Sequence, residues 1–174
     1  MTLPCDELVA VIQYQIGALQ ALCSAENAVI DYVKPHGALY NDMMKDVKIF
    51  STICRAIGEL NNNRTAPLAL MIQALKDTKA FEQIATEHGI ALYFEAFADR
   101  AYQDNGLLVP RSEQGAVLTT HDAVVARCQR LINKQPLLSI SQQPLELNID
   151  ALCVHGDTPN ALEMLKALRN IITP

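Results

Sequence analysis

Apolar residues return at helical spacing through residues 6–23, at Leu8, Val9, Ile12, Ile16, Leu19 and Leu22, behind Pro4 and the acids Asp6 and Glu7. That spacing predicts a helix with one buried face. Asn27 breaks the pattern, and the β-branched run 28–33 predicts a short strand that Pro35 and Gly37 bring to an end. The cycle then repeats: a helix over 42–60, a turn at NNNRT, a strand over 67–71, a helix over 77–88 and a strand over 89–94. A long irregular segment, ADRAYQDNGLLVPRSEQGA, follows, and a helix over 120–133 starts at Thr119 or Thr120 as its cap. Residues 135–148 hold two prolines and read as a connector, with one extended piece at most around 145–147. A buried strand over 149–154, the exit loop HGDTP and a helix over 159–172 with Pro159 in its first turn complete the pattern.

Strands that alternate with helices need crossover connections, so the pattern predicts an α/β fold of parallel strands covered by helices. The polar residues fall in a telling way: Lys34 and His36 after the first strand, Glu95, Asp99 and Arg100 after the third, His155 and Asp157 after the fourth. Folds of this class place their ligand sites at those strand ends.

Composition narrows the function classes. The chain has 174 residues, half of them hydrophobic and 19% charged, with a formal net charge of -5, and its length fits one domain. No cluster of Lys and Arg offers a phosphate backbone a partner, so nucleic acid is not an expected ligand. Acids stand at the N-terminus where a signal peptide needs positive charge, and no apolar run approaches the ~18–20 residues of a membrane span. The expectation is a cytoplasmic protein with no membrane partner. Five cysteines without a CxxC pair argue against a disulfide framework or a zinc knuckle; Cys153 is the one that abuts a polar cluster.

Three stretches carry candidate chemistry. In YVKPHGALYN, proline fixes the backbone, glycine permits a sharp turn, and Lys34 and His36 stand side by side, with Tyr40 and Asn41 just beyond. Such a loop suits an anion or an oxyanion; the plainer alternative is a turn with a solvated lysine. EAFADRAY groups Glu95, Asp99 and Arg100, and Arg111 adds a second guanidinium to the same long loop. These could act on a substrate or form structural and surface charges. VHGDTP sets His155 and Asp157 ahead of a helix N-terminus, where Asp157 could equally be a cap. No set of three convergent groups has zinc-like spacing. GxGxxG, GxxxxGK[ST] and GxSxG are all absent, which leaves direct nucleotide binding by this chain without sequence support.

YQIGAL (14–19), VKPHGALYN (33–41), EAFADRAY with GLLVPR (95–111) and VHGDTP (154–159) together resemble the LamB/YcsF family, in the family's order and across nearly the whole chain. The resemblance implies a (β/α) barrel related to those of glycoside hydrolases and polysaccharide deacetylases. This chain would supply a partial barrel, a single domain over 1–174 that forms the C-terminal portion. The implied activity is that of the A subunit of an ATP-dependent 5-oxoprolinase, which opens the lactam ring of 5-oxo-L-proline to L-glutamate. ATP would be handled by the partner subunits B and C, and a divalent metal is admitted as a further cofactor. On this reading His36, Asp99, His155 and Asp157 are the acid/base or water-positioning groups. Lys34, Arg100 and Arg111 would hold the substrate's carboxylate or phosphate, with Glu95, Tyr40 and Asn41 lining the same site.

The family's segments resembling DLNADLGE, ACGFHAGD and GAHPSYPD have no counterpart here, and Met1 matches an internal position. The expectation is therefore a shortened chain, inactive alone, whose open barrel edges and apolar helix faces favour self-association. Two rivals stand beside it: a metal-dependent deacetylase-type hydrolase of a carbohydrate or amide, and a catalytically silent scaffold that docks partner subunits.

Overall fold

In a computed structural model of the chain, residues 3–156 and 161–172 are described. Their contacts fall into two compact units, one formed by the chain up to Ile72 with Thr78–Tyr93, the other by Gln73–Asp77 with the chain from Phe94 onward.

The first unit is built on α1 (Cys5–Ala25) packed against α3 (Val47–Asn61). Val9, Ile12 and Ile16 form the buried stripe of α1 that the spacing predicts. Gln13 reinforces the contact by donating to the Ala56 carbonyl at 3.2 Å and to Glu59 at 2.7 Å, and Arg55 pairs with Asp6 at 2.6 Å. The opposite face of α1 is also apolar, with Tyr14 77% and Leu22 69% exposed. At 21 residues, α1 is long and apolar enough by length and composition to cross a membrane, which corrects the expectation that no run comes near that length. Its charges, Asp6 and Glu7, are confined to the first turn, and only glutamines and Ser24 break the apolar run beyond them. Burial of the α1 stripe against α3 gives the same helix a role inside this unit.

The predicted helix over 42–60 corresponds to α3, while its first two residues belong to a separate short helix, α2 (Gly37–Met43), that begins within the stretch expected to be a loop. The division is set by Asp46, whose carboxylate accepts the Lys48 N–H at 2.8 Å and starts a new helix at an N-cap. α3 then buries Phe50, Ile53, Cys54 and Ile57, and Phe50 meets Phe81 of α4 (Lys79–Glu87) edge-on, with centroids 4.8 Å apart. Strand β1 (Tyr32–Val33) pairs in parallel with β2 (Ala69–Gln73), Tyr32 opposite Ala69 and Val33 opposite Leu70. The approach to both strands is tied by Arg64 in the NNNRT turn. Its guanidinium donates to Gln20 on α1 at 2.7 Å and to the carbonyls of Ile30 and Ala66 at 3.1 and 3.0 Å.

Strand β3 (Leu92–Phe97) begins in the first unit, where the Leu70 N–H donates to the Ala91 carbonyl at 2.9 Å. It ends in the second unit, where the Ala74 N–H donates to the Glu95 carbonyl at 2.9 Å. The sequence places this strand three residues too early, so Glu95 lies inside it, not beyond its end. In the second unit β3 pairs in parallel with β6 (Ala151–Cys153), Glu95 opposite Ala151 and Phe97 opposite Cys153. Helices α5 (His121–Ile132) and α6 (Ala161–Ile172) pack together, burying Val124, Cys128, Met164 and Leu168 with Ala98. The expectation of parallel strands alternating with helices is borne out. Thr120 does hold the N-cap position of α5, although its side chain makes no capping bond.

The connector over 135–148 has more order than its prolines suggest. β4 (Leu137–Leu138) and β5 (Pro144–Leu145) form a small antiparallel pair. Asp104, from the long loop after β3, accepts hydrogen bonds from Ser139 at 2.5 Å and from Ser141, and these bonds hold its carboxyl below the usual range. The same loop closes on Gly106, whose φ of +92° lies in the left-handed region and where an added Cβ would stand 2.9 Å from the main chain of Leu75 and Lys76. The Gly106 carbonyl accepts from buried Gln73 at 2.5 Å.

Both penalties apply to Gly106→Ala, strain at positive φ and a backbone clash. The substitution is expected to lower unfolding stability by about 2 kcal/mol, measured as a fall in the denaturant midpoint. Burial pushes the Cys54 thiol up to about 12 and the Cys128 thiol up to about 11, so neither supplies much thiolate near neutrality. Alkylation of the native protein at pH 8, mapped by mass spectrometry, is expected at the partly exposed Cys5, Cys23 and Cys153. Cys54 and Cys128 should react only after unfolding.

Candidate active site

In the first unit, the loop leaving β1 carries Lys34, Pro35 and His36 into α2. His36 takes the extended conformation of an N-cap residue, and Gly37 follows at φ +62°, a turn that a side-chain-bearing residue would resist. The glycine of the motif is thus a conformational requirement, and His36 before it is exposed. Lys34 lies over the buried Tyr40 ring, 5.8 Å from its centroid. Asn41 turns back to donate to the Gly37 carbonyl at 3.2 Å. A cavity of about 280 Å³ opens beside this loop, with Ile12, Gln15, Val33, Lys34 and His36 in its lining. Four candidate residues, Lys34, His36, Tyr40 and Asn41, are therefore neighbours on one short loop and helix.

In the second unit, β3 and β6 run parallel, so their C-terminal ends bring Asp99 and His155 together across 56 positions of sequence. The Asp99 side chain is 2% exposed, and both its carboxylate oxygens contact His155 Nδ1, at 3.1 and 3.0 Å. A carboxylate only accepts, so Nδ1 carries the hydrogen and the neutral ring presents its lone pair at Nε2. His155 keeps 27% of its side chain exposed, and its ring stacks on Phe97 at 5.5 Å with an 18° interplanar angle. An imidazole oriented by a buried carboxylate and braced on one face is equipped to take a proton from water and return it to a leaving group.

The surroundings explain why this arrangement is rigid. The Leu118 N–H donates to the Asp99 carbonyl at 2.7 Å, and the Ala98 N–H to the Cys153 carbonyl at 3.0 Å. The Tyr102 hydroxyl accepts from the Phe97 N–H at 2.6 Å and donates to the Phe97 carbonyl at 3.3 Å, and burial drives its phenol well above the ordinary range. Arg100 is buried, with its guanidinium donating to the carbonyls of Val109 at 2.6 Å and Ala116 at 3.4 Å. Burial, then the nearby Arg111 charge, lowers its pKa. Arg100 thereby acts as the internal brace of the long loop, while Arg111 lies exposed on it. Glu95 is buried within β3, and Asp157 lies outside the described residues.

Sequence reasoning missed Tyr102, Phe97 and Arg127. Arg127 donates through Nη1 to the Arg100 carbonyl and lies 5.7 Å from the Tyr102 ring centroid. Its signal was available: Val124, Arg127, Cys128 and Leu131 share one stripe of α5, and a cation on a buried stripe calls for a partner. His88 and His121 lie at helix ends. His88 follows α4 and meets Ser51 Oγ at 3.1 Å, and exposed His121 opens α5. A larger cavity, about 500 Å³, lies at the opposite end of β3 and β6 between Phe94, Leu131 and Asp150 and holds none of the candidate residues. Among the described residues no three His, Cys, Asp or Glu side chains converge to hold a metal ion.

The LamB/YcsF family model matches residues 1–174. The A subunit of 5-oxoprolinase from Vibrio cholerae is 40% identical over 164 residues, 94% of this chain and 64% of its own length. The protein of the same name from Clostridium beijerinckii is 38% identical over 163 residues, covering 94% of this chain and 61% of its own. Among solved structures, the lactam utilization protein of Thermus thermophilus superimposes with a TM-score of 0.85 at 31% identity, over 99% of this chain and 66% of that one. The chain thus spans about two thirds or somewhat less of the length of these relatives, and the likeness gives its parallel strands and helices the class of a partial (β/α) barrel. By the family model over its whole length and by relatives at about 40% identity, the chain belongs to the LamB/YcsF family.

Proposed function

We propose that this chain contributes to a lactam-opening hydrolase of the 5-oxoprolinase type, with Asp99 and His155 as its acid/base pair. The observation that carries the reading is the contact of His155 Nδ1 with both oxygens of the buried Asp99 carboxylate, in a chain whose relatives bear the name of the 5-oxoprolinase A subunit. His155 Nε2 takes a proton from water, the water oxygen bonds to the lactam carbonyl carbon, and the ring C–N bond breaks. The nitrogen leaves as the amine with the proton that His155 returns. Opening 5-oxo-L-proline in this way consumes one water and yields L-glutamate.

Hydrolysis of an unstrained lactam is slow; transfer of the ATP γ-phosphoryl group to its carbonyl oxygen, with ADP leaving, would be the work of partner subunits B and C, and the acyl phosphate left by ring opening would then lose phosphate to a second water. Arg111, a cation on the loop after β3, is the candidate in this unit for the substrate's carboxylate; Lys34 carries a cation on its own loop, with Tyr40, Asn41 and His36 beside it. Arg100 is committed to its own loop. A cytoplasmic setting follows from the need for ATP.

Glutamate release from 5-oxo-L-proline, followed with ATP and the partner subunits present, tests the proposal. It is expected when the chain is joined to the portion of its relatives that it does not span, and not from the chain alone. In the joined protein, His155→Ala or Asp99→Asn is expected to lower the rate by about 10²–10⁴-fold. Unchanged release in both variants would overturn the acid/base assignment.

A further inference from the structure

The turn that presents Asp99 is held from outside by a residue with no place in the chemistry above. Arg127, on α5, donates through Nη1 to the carbonyl of Arg100, the residue next to Asp99. Its guanidinium lies 5.7 Å from the centroid of the Tyr102 ring, and the Tyr102 hydroxyl bridges the N–H and C=O of Phe97. Phe97 in turn stacks on His155. Two linked paths thus run from Arg127 to the imidazole: through the Arg100 carbonyl to the Asp99 turn, and through Tyr102 to the Phe97 ring. Arg127 is half-buried, and burial lowers its pKa while the nearby Asp99 carboxylate favours its cationic form. The core on the same side of α5, Val124 and Cys128 with Met164 and Leu168 of α6, is apolar. A guanidinium with a fixed fork can engage a carbonyl and an aromatic face together, which an ordinary structural contact does not require.

We infer that Arg127 is a positioning residue for the Asp99–His155 pair, holding the turn so that the carboxylate fixes His155 as its Nδ1–H tautomer and leaves Nε2 to face the reacting water. The inference deepens the proposed acid/base reading and rests on it for its meaning. Its geometry can nevertheless be tested without turnover. An imidazole free in water favours the Nε2–H form, so the Nδ1–H form at His155 reports directly on the Asp99 contact.

Long-range ¹H–¹⁵N spectra of the 174-residue chain, taken at alkaline pH where imidazole is neutral, separate its four histidines, and His155→Gln assigns the signal of interest. The wild-type protein is expected to show His155 chiefly as Nδ1–H. Arg127→Met, which keeps the length but loses the donor and the charge, is expected to lower the ratio of Nδ1–H to Nε2–H about fivefold. Arg127→Lys, which keeps both a donor and a charge, is expected to restore most of it. His36, His88 and His121 should not change in either variant. A wild-type His155 that is mainly Nε2–H would overturn the inference at once, even if Arg127→Met failed to fold. So would a folded Arg127→Met with the wild-type ratio, or an Arg127→Lys no better than Arg127→Met. Absence of lactam hydrolysis would count against the proposed reaction and leave this measurement intact.

Discussion

A strand that leaves its sheet must still satisfy the N–H and C=O groups it carries away, and at the end of β3 that obligation falls on Phe97. The Tyr102 hydroxyl meets both groups at once, five residues further along, so the chain turns back on itself directly after the strand. Everything that makes the Asp99–His155 pair usable follows from that closure. Ala98 remains bonded to Cys153, Asp99 is pinned by Leu118, and Arg100 is left inside the loop to brace it through Val109 and Ala116. Loss of the phenol would orphan a buried N–H, a larger penalty than the net value of the bond itself.

The two candidate loops are stabilised by different means. The loop after β1 depends on backbone conformation, with Pro35 fixing one residue and Gly37 accepting a left-handed φ of +62°. The loop after β3 depends on side chains that bond to main-chain carbonyls: Arg100, Arg127, Gln73 and Gln103 all donate in this way. Guanidinium and amide donors suit a long irregular segment, because its carbonyls find no ladder to join.

Much of this was legible in the sequence, for identifiable reasons. The α1 stripe of Val9, Ile12 and Ile16 follows from helical spacing alone, and the parallel pairing of β3 with β6 follows from a helix-containing crossover between them. His155 and Asp99 were both readable as candidates from their places after apolar runs; their direct contact was not, because 56 residues separate them. Boundaries failed where a side chain or a ladder bond decided them. Asp46 starts α3 at its own N-cap after α2, and β3 runs on to Phe97 because the carbonyl of Glu95 is still paired. The β4–β5 pair was hidden because strands of two residues have no periodicity, and its turn is organised by Asp104 from a remote loop. Arg127 belongs to no motif, and only its place on a buried stripe marks it.

The two apolar faces of α1 have a consequence for how the protein behaves in bulk. From Cys5 to Glu26 the only charged residues are Asp6, Glu7 and Glu26, so the outward side around Tyr14 and Leu22 carries no charge of its own. Colloidal stability therefore rests on long-range repulsion from the net charge of -5. That repulsion vanishes as pH approaches the sequence pI of 5.3 and is screened by salt, so mild acid and high ionic strength act on solubility in the same direction.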